Sequence, residues 1–488
     1  MLFQSRAFIF AFLPFCVGGF FLFSRFAGAA WALRWLVAAS LFFYGWWDPR
    51  FVPLLIGSVL VNHAIARDIS ALARTGLPHT ARRSLTAGIA LNLAVLAWFK
   101  YADFLLHAVA PGQPSLGVPL PLAISFFTFQ QIMFLVEAYR NPRQDVSLLH
   151  AAAFITFFPH LIAGPIVRPH DIIPQLQFSA LARPQAANIS AGLVTFLLGL
   201  SKKLVLADMF GGFADTGFDA AATGAALTFF EAWYATLAYA LQIYFDFSAY
   251  SDMAIGLARM MNIRFPLNFD SPYQASNIAD FWRRWHITLG CFLRDYVYIP
   301  LGGGRDGENR RVANLMLTML LCGLWHGAAW RFVLWGALHG AFLIIQTLFR
   351  RRGGRLPGPL AHMLTLLAVI SAWVPFRADN LGTAWSMLRA MTGANGVALP
   401  SMIARFFPPL TWIATPVPVL PYLGDGRTLS FPEVTACLAL GWFIVLVLPN
   451  IHAMSEHAKS WVLTSGFAFA AQALLFAPRM TPFLYFRF

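Results

Sequence analysis

Long apolar stretches recur along the whole chain, and they constrain its fold more than any other feature. Each runs for about 17–25 residues, the length that a helix needs to cross a bilayer core roughly 30 Å thick. From this pattern we predict about eleven or twelve transmembrane helices. The stretches begin near Phe8, Ala32, Phe51, Ala87, Val118, Ile189, Leu227, Ala313, Phe332, Leu360, Val434 and Val462.

The composition predicts an all-α, polytopic membrane protein. Of the 488 residues, 58% are hydrophobic and 11% are charged, and the mean hydropathy is +0.63. A soluble domain with such a composition would aggregate. The net charge of +14 does not indicate nucleic acid as a partner, because the arginines cluster in short loops between predicted helices. We treat the chain as one membrane domain with N-terminal helices (1–145), a central part (146–350) and C-terminal helices (351–488).

Three arginine clusters predict which helix ends face the cytoplasm. They follow the third, fifth and ninth predicted helices, and all fall on one side if the helices alternate and the N-terminus is outside. The clusters are Arg67, Arg74, Arg82 and Arg83; Arg140 and Arg143; and Arg350, Arg351, Arg352 and Arg355. This count puts the loop at 48–50, the proline-rich segment 376–431 and the tail 483–488 on the outer face. We expect segment 376–431 to lie at the outer interface as short amphipathic pieces.

Two regions interrupt the pattern of apolar helices. Residues 157–170 carry three prolines and a glycine in an apolar setting. Non-helical backbone at membrane depth requires protein or a water-filled cavity around it, so we predict a re-entrant element that lines a pocket. Residues 262–311 contain too many polar and turn residues to span, and by the helix count they enter from the cytoplasmic side.

His286 and His326 stand out because an ionisable side chain is costly to place in an apolar protein. A histidine can take and return a proton at neutral pH, so the pair suits a buried reaction chamber. From the residues alone, a hydrogen bond between helices explains His326 equally well. For His286, which follows two arginines, an interfacial structural role is the better explanation at this point.

Four motifs follow one another in the chain: DFWRRWHITL at 280–289, LRDYVYIPLGG at 293–303, LWHGA at 324–328 and WGALHG at 335–340. In this order they resemble the signature of the membrane-bound O-acyltransferase (MBOAT) family, and in particular its bacterial alginate O-acetyltransferase (AlgI-like) branch. Further matches lie at 124–130, 158–168, 244–252 and 373–378. The resemblance therefore extends through most of the chain.

The resemblance implies a funnel-shaped core with re-entrant and interfacial helices around His326. It implies that His326 is the general base or the group that handles the acyl chain, and that His286 is the second catalytic histidine. It further implies a bacterial inner-membrane acetyltransferase with acetyl-CoA as donor and no permanently bound cofactor. The expected partners are membrane lipid, a periplasmic acetyltransferase of the SGNH-hydrolase-like type, and an exported polysaccharide such as alginate.

Several alternatives to this function stay open. An enzyme of the same architecture could acylate cellulose, peptidoglycan, teichoic acid, a lipid or a protein. A transporter is an alternative from another class, but it would predict inverted repeats with paired broken helices. The sequence has one polar intrusion and no counterpart in its other half.

The remaining site predictions concern polar and aromatic residues near the two histidines. Arg283, Arg284 and Arg294 would suit the phosphates of coenzyme A, although positive-inside anchoring explains them equally well. Helix packing is a sufficient explanation for His339. The four cysteines have no metal-ligand spacing, so we predict no metal site. We expect six residues to line the cavity: Trp325, Asp280, Asn277, Trp282, Asp246 and Asp252.

Overall fold

Helices make up most of the chain, as the sequence predicts. The computed structural model describes residues 1–177, 183–406, 408–412, 414–417, 420–423, 430–454 and 481–484. In these ranges the only strands are two short ones, β1 (Ala398–Pro400) and β2 (Thr415–Val417), which pair in parallel with Ala398 opposite Thr415. The all-α prediction is therefore confirmed apart from this small sheet. The residues form two compact units.

The first unit is built from Met1–Leu200, Ala249–Asn268 and residues 481–484. Its central helix, Ile124–Arg140, has 17 residues, and almost all of its side chains are buried. The helices that lie wholly in this unit are α1 (Phe8–Ala27), α2 (Ala29–Gly45), α3 (Pro49–Arg74), α4 (Pro78–Val109), α5 (Ile124–Arg140), α6 (Leu148–Thr156), α7 (Phe158–Leu161) and α8 (Pro169–Gln177).

The second unit is built from Ser201–Ser248 and residues 269–454. Two long helices, α9 (Ala186–Ala222) and α10 (Phe229–Met260), contribute residues to both units. The helices that lie wholly in the second unit are α11 (Ile278–Arg284), α12 (Ile287–Leu293), α13 (Glu308–His326), α14 (Trp330–Arg351), α15 (Gly358–Arg377), α16 (Leu381–Met391), α17 (Ser401–Phe406) and α18 (Phe431–Val447).

Helices α13 and α14 form an antiparallel hairpin that carries His326 at its turn. Their backbones approach closely because glycines lie at the contact. A Cβ atom on Gly323 would overlap the Phe332 carbonyl oxygen, and one on Gly336 would overlap the Met319 carbonyl oxygen. Such small-residue contacts are the usual way in which helices pack tightly in membranes. They fix the position of the last turn of α13, where His326 lies.

A helix occupies eleven of the twelve predicted apolar stretches, and the stretch that begins near Val462 lies outside the described residues. Six of the described helices are long and apolar enough to cross a membrane: α1, α3, α4, α9, α14 and α15. Helices α2 and α18 are apolar but shorter. Helix α5 is enclosed by protein, which a hydropathy pattern cannot distinguish from enclosure by lipid. The chain is a multi-pass membrane protein, and the total of about twelve crossings stays a prediction.

Both predicted interruptions have irregular backbone. Residues 162–168 are non-helical, and residues 158–167 are buried, so protein encloses this segment as its prolines require. Its re-entrant position in a membrane stays a prediction. Residues 262–311 form loops, short helices and the start of α13, with no spanning helix among them.

The segment 376–431 contains short elements, as expected, but not only helices. Phe376 still belongs to α15, and the paired strands β1 and β2 were not predicted. Leu399 of β1 is buried in a small apolar cluster with Ala404 and Ala414, contacts that a local pattern does not show. Of the tail, only residues up to 484 are described, and Phe483 packs edge-on against Tyr250. The side of the membrane stays a prediction for both segments.

Candidate active site

His286 lies in the turn between α11 and α12, and its backbone is in a strained conformation. Its φ and ψ are 43° and 54°, in the left-handed region that residues other than glycine rarely adopt. Such strain persists where the surroundings determine the conformation, and it often occurs at functional sites. The side chain is fully buried, with Phe247 edge-on at 4.7 Å between ring centroids. Burial lowers the pKa of His286 to about 3, so the ring is neutral at physiological pH.

His326 is the last residue of α13, and its ring lies among aromatic side chains. The residue is only 6% exposed. Trp335 and Phe376 each present a ring edge-on, with the centroid 5.1 Å from that of His326. The C-terminal end of a helix carries partial negative charge, which stabilises the cation that an imidazole becomes when it takes a proton. This position therefore suits a general base.

The indole ring of Trp325 lies close to both histidine rings. The Trp325 centroid lies 6.1 Å from that of His286 and 4.8 Å from that of His326. The histidines lie 40 residues apart in the sequence, at 286 and 326, yet both contact this buried side chain. The fold thus brings His286 to the indole that directly precedes His326 in the sequence. The cavity that Trp325 is expected to line stays a prediction.

A third histidine, His339, lies in the same aromatic cluster. It is fully buried, and its ring centroid is 4.7 Å from that of Trp335 and 5.2 Å from that of Trp282. Among the described residues, neither ring nitrogen of His339 has a hydrogen-bond partner, and the same holds for the indole nitrogens of Trp282 and Trp335. A buried polar group without a partner costs about 1–3 kcal/mol. Helix packing alone is thus an incomplete explanation of His339.

The three arginines predicted to bind coenzyme A are partly exposed and already paired with carboxylates. Arg283 and Arg284 each contact Asp280, at 3.3 and 3.2 Å, and Arg294 contacts Asp295 at 2.6 Å. Burial by itself would raise the pKa of Asp280, but the hydrogen bonds and the charge of Arg284 outweigh it and lower that pKa. In the described part of the chain, no group of three or more His, Cys, Asp or Glu side chains is arranged to hold a metal ion.

Asn277 and Asp280 hold the start of α11 in place. The Asn277 side chain accepts a hydrogen bond from the Asp280 backbone N–H at 3.0 Å, as an N-cap does. It also accepts one from Gln346 Nε2 at 2.7 Å, which links α11 to α14. These contacts give both residues a structural role in shaping the loop before His286, and the cavity that they are expected to line stays a prediction.

Asp246 forms a buried ion pair with Lys203, a residue that the sequence motifs do not single out. The Lys203 ammonium donates to Asp246 Oδ1 and to Asp208 Oδ1, each at 2.7 Å. Residues Lys202–Ala207 form a π-helical turn, in which residues five apart in sequence are adjacent, so Lys203 meets Asp208. The sequence does contain one sign of this ion pair: a lysine and an aspartate lie five residues apart in an otherwise apolar helix. The other carboxylate, Asp252, is buried in the first unit.

Comparison with known proteins identifies the family. The model of the family described as MBOAT, membrane-bound O-acyltransferase family, matches residues 71–357. This range contains both catalytic candidates and also Trp282, Trp325, Trp335 and His339.

Individual relatives match over a larger part of the chain. A peptidoglycan O-acetyltransferase of Helicobacter pylori is 42% identical over 434 residues, 82% of this chain and 81% of its own length. A probable alginate O-acetylase AlgI of Pseudomonas aeruginosa is 41% identical over 404 residues, 80% of this chain and 75% of its own. A teichoic acid D-alanyltransferase of Bacillus subtilis is 27% identical over 56% of this chain and 70% of its own length. This chain therefore belongs to the membrane-bound O-acyltransferase (MBOAT) family, in its AlgI-like branch, and is a membrane acyltransferase.

Proposed function

We propose that this protein is an O-acetyltransferase that takes an acetyl group from cytoplasmic acetyl-CoA and passes it across the bacterial inner membrane to an exported polysaccharide. The observation that carries this proposal is the contact of His286 and His326 with one buried indole, Trp325. The names of the most similar relatives favour acetyl as the group that is transferred.

The chemistry requires one base and a positioned thioester. His326 accepts the proton of an acceptor hydroxyl while the hydroxyl oxygen attacks the acetyl carbonyl carbon. The tetrahedral intermediate then collapses, the carbon–sulfur bond breaks, and the coenzyme A sulfur takes the proton back from His326. General-base assistance of this kind is worth about 10²–10⁴-fold. Neutral His286, which also contacts Trp325, positions the reacting groups.

A covalent route uses the same residues. The unprotonated His326 ring nitrogen attacks the thioester carbonyl carbon, the carbon–sulfur bond breaks, and coenzyme A leaves as the thiol with the proton of the other ring nitrogen. The acceptor hydroxyl oxygen then takes the acetyl group from the imidazole, and the hydroxyl proton returns to the ring. This route would let the acetyl group change compartments on one side chain. The two routes differ in whether coenzyme A is released before an acceptor binds.

Two glycans are candidate acceptors. Five relatives named as probable alginate O-acetylases favour alginate, and the Helicobacter pylori relative favours peptidoglycan. A periplasmic acetyltransferase of the SGNH-hydrolase-like type would complete the transfer outside the membrane.

Inverted membrane vesicles test this proposal. Their cytoplasmic face is outward, so radiolabelled acetyl-CoA is added outside, and the periplasmic partner is enclosed with either alginate or peptidoglycan fragments. We expect labelled O-acetyl ester on one enclosed glycan, released by mild base. Right-side-out vesicles given the donor outside serve as the control and should yield none. Label that appears only when donor and glycan share a compartment would contradict transfer across the membrane.

We further expect Arg283→Ala and Arg294→Ala to raise the KM for acetyl-CoA about tenfold and to leave kcat unchanged, because each would remove a charge-assisted hydrogen bond to a phosphate. Initial rates over a range of acetyl-CoA concentrations measure this. Arg352→Ala, which removes an exposed arginine at the end of α14, is the matched control for positive-inside anchoring. An unchanged KM in both test variants would assign these arginines to anchoring.

A further inference from the structure

Three side chains, of which Trp335 contacts His326, share an unusual property. Trp282, Trp335 and His339 are in mutual ring contact, with centroids 4.7–5.8 Å apart. Each carries buried nitrogen atoms that have no hydrogen-bond partner among the described residues. Trp335 also contacts His326, at 5.1 Å. The four nitrogens thus belong to one cluster of rings, which reaches the candidate base through Trp335.

The hydrogen-bonding capacity of this cluster is unbalanced. Each indole supplies one N–H donor, and a neutral histidine supplies one donor and one acceptor. The cluster therefore offers three donors and one acceptor, all buried. Buried polar groups in folded proteins are almost always paired, so this cluster is suited to a guest that presents an oxygen acceptor.

We propose that Trp282, Trp335 and His339 form a subsite that receives the carbonyl oxygen of the acyl thioester. This inference rests on the proposed function and deepens it. When the acceptor oxygen bonds to the carbonyl carbon and its proton moves to His326, the carbonyl π electrons move onto this oxygen. The N–H groups stabilise that negative charge, and it returns to the C=O bond as the carbon–sulfur bond breaks. Donors held in place before the reaction stabilise such charge without reorganisation.

Single substitutions that remove one donor test the subsite kinetically. Trp335→Phe retains an aromatic ring and deletes the indole N–H, and His339→Phe deletes both ring nitrogens. Loss of one such donor lowers kcat about 10²–10³-fold, and we expect this with little change in the KM for acetyl-CoA. His339→Gln retains a donor and should recover part of the activity. These substitutions also change packing in the core, so the midpoint of thermal unfolding is measured for all three and compared with the loss of activity.

Trp442→Phe is the matched control for these variants. The Trp442 indole nitrogen is also buried without a partner among the described residues, but its ring contacts Tyr273, outside the subsite. We expect its activity to stay within about twofold of the wild type. Equal losses in Trp442→Phe and Trp335→Phe, or losses that follow a lower unfolding midpoint, would overturn the proposal in favour of packing.

Infrared spectroscopy provides a readout that packing does not change. A non-hydrolysable ketone analogue of acetyl-CoA, isotopically labelled at the carbonyl, is bound to the wild type and to each variant. Hydrogen bonding should lower the carbonyl stretching frequency in the wild type relative to Trp335→Phe and His339→Phe. Identical frequencies in all of them would overturn the subsite. If the wild type itself transfers no acetyl group, the proposed function fails, whereas an active wild type with fully active variants refutes only the subsite.

Discussion

Replacing His326 with alanine is expected to lower acetyl transfer by two to four orders of magnitude while the protein still folds. The ring lies at the end of α13 and contacts both Trp335 and Phe376, and no other described histidine occupies that position. Loss of a general base accounts for about 10²–10⁴-fold. Release of coenzyme A from acetyl-CoA, in the presence of acceptor and partner, measures the effect.

Three comparisons make this result specific. His286→Ala should cause a smaller loss, because that residue positions groups that His326 still activates. His107→Ala removes an exposed histidine of α4 and should leave the rate within about twofold. Release of one equivalent of coenzyme A per protein without any acceptor, absent in His326→Ala, would identify the covalent route. Equal rates for the wild type and His326→Ala would refute the assignment of His326.

Replacing Lys203 with methionine should destabilise the second unit by about 3–5 kcal/mol, because it leaves the Asp246 carboxylate buried without its cation. Lys203 and Asp246 are 2% and 4% exposed in their side chains, and their charged atoms are 2.7 Å apart. Asp208, the other partner, is 24% exposed and can regain water. The midpoint of unfolding in detergent, monitored by circular dichroism, measures the loss.

A double variant separates the lost ion pair from the lost side chain. Lys203→Met combined with Asp246→Leu should recover most of the stability, because an apolar pair can replace a buried ion pair at little cost. Arg351→Met breaks the exposed pair with Glu308 and should cost less than about 1 kcal/mol. If Lys203→Met is as mild as Arg351→Met, the buried pair does not stabilise the fold.

The helices could be predicted because the length of an apolar run is a local property. Helices occupy the eleven predicted stretches that lie in the described residues, and the backbone at 162–168 is irregular as predicted. The local signal did not distinguish α5, which protein encloses, from helices whose apolar faces meet lipid. It also missed the pairing of β1 with β2, because the buried neighbours of Leu399 are decided by tertiary contact.

The candidate site was predicted less completely, for the same reason. The motifs selected His286 and His326. For Asn277 and Asp280 the structure shows hydrogen bonds that organise the start of α11, and their place at a cavity stays a prediction. Lys203 was missed because its partner Asp246 lies 43 residues away in another helix. His339 was explained by packing, since a sequence does not show that a buried ring lacks hydrogen-bond partners.

The sequence by itself determined that this chain crosses a membrane, that it belongs to an acyltransferase family, and that two histidines are its catalytic candidates. Those conclusions follow from the length of apolar runs and from ordered motifs. Both features are local, because they can be read from consecutive residues without knowledge of the fold. Only the tertiary structure decided that His286 contacts Trp325, the neighbour of His326, and that Lys203 neutralises Asp246. It also decided that the unpaired nitrogens of Trp282, Trp335 and His339 lie in one ring cluster that contacts His326. These are contacts between distant segments, and the packing of helices, such as the glycine contact between α13 and α14, creates them.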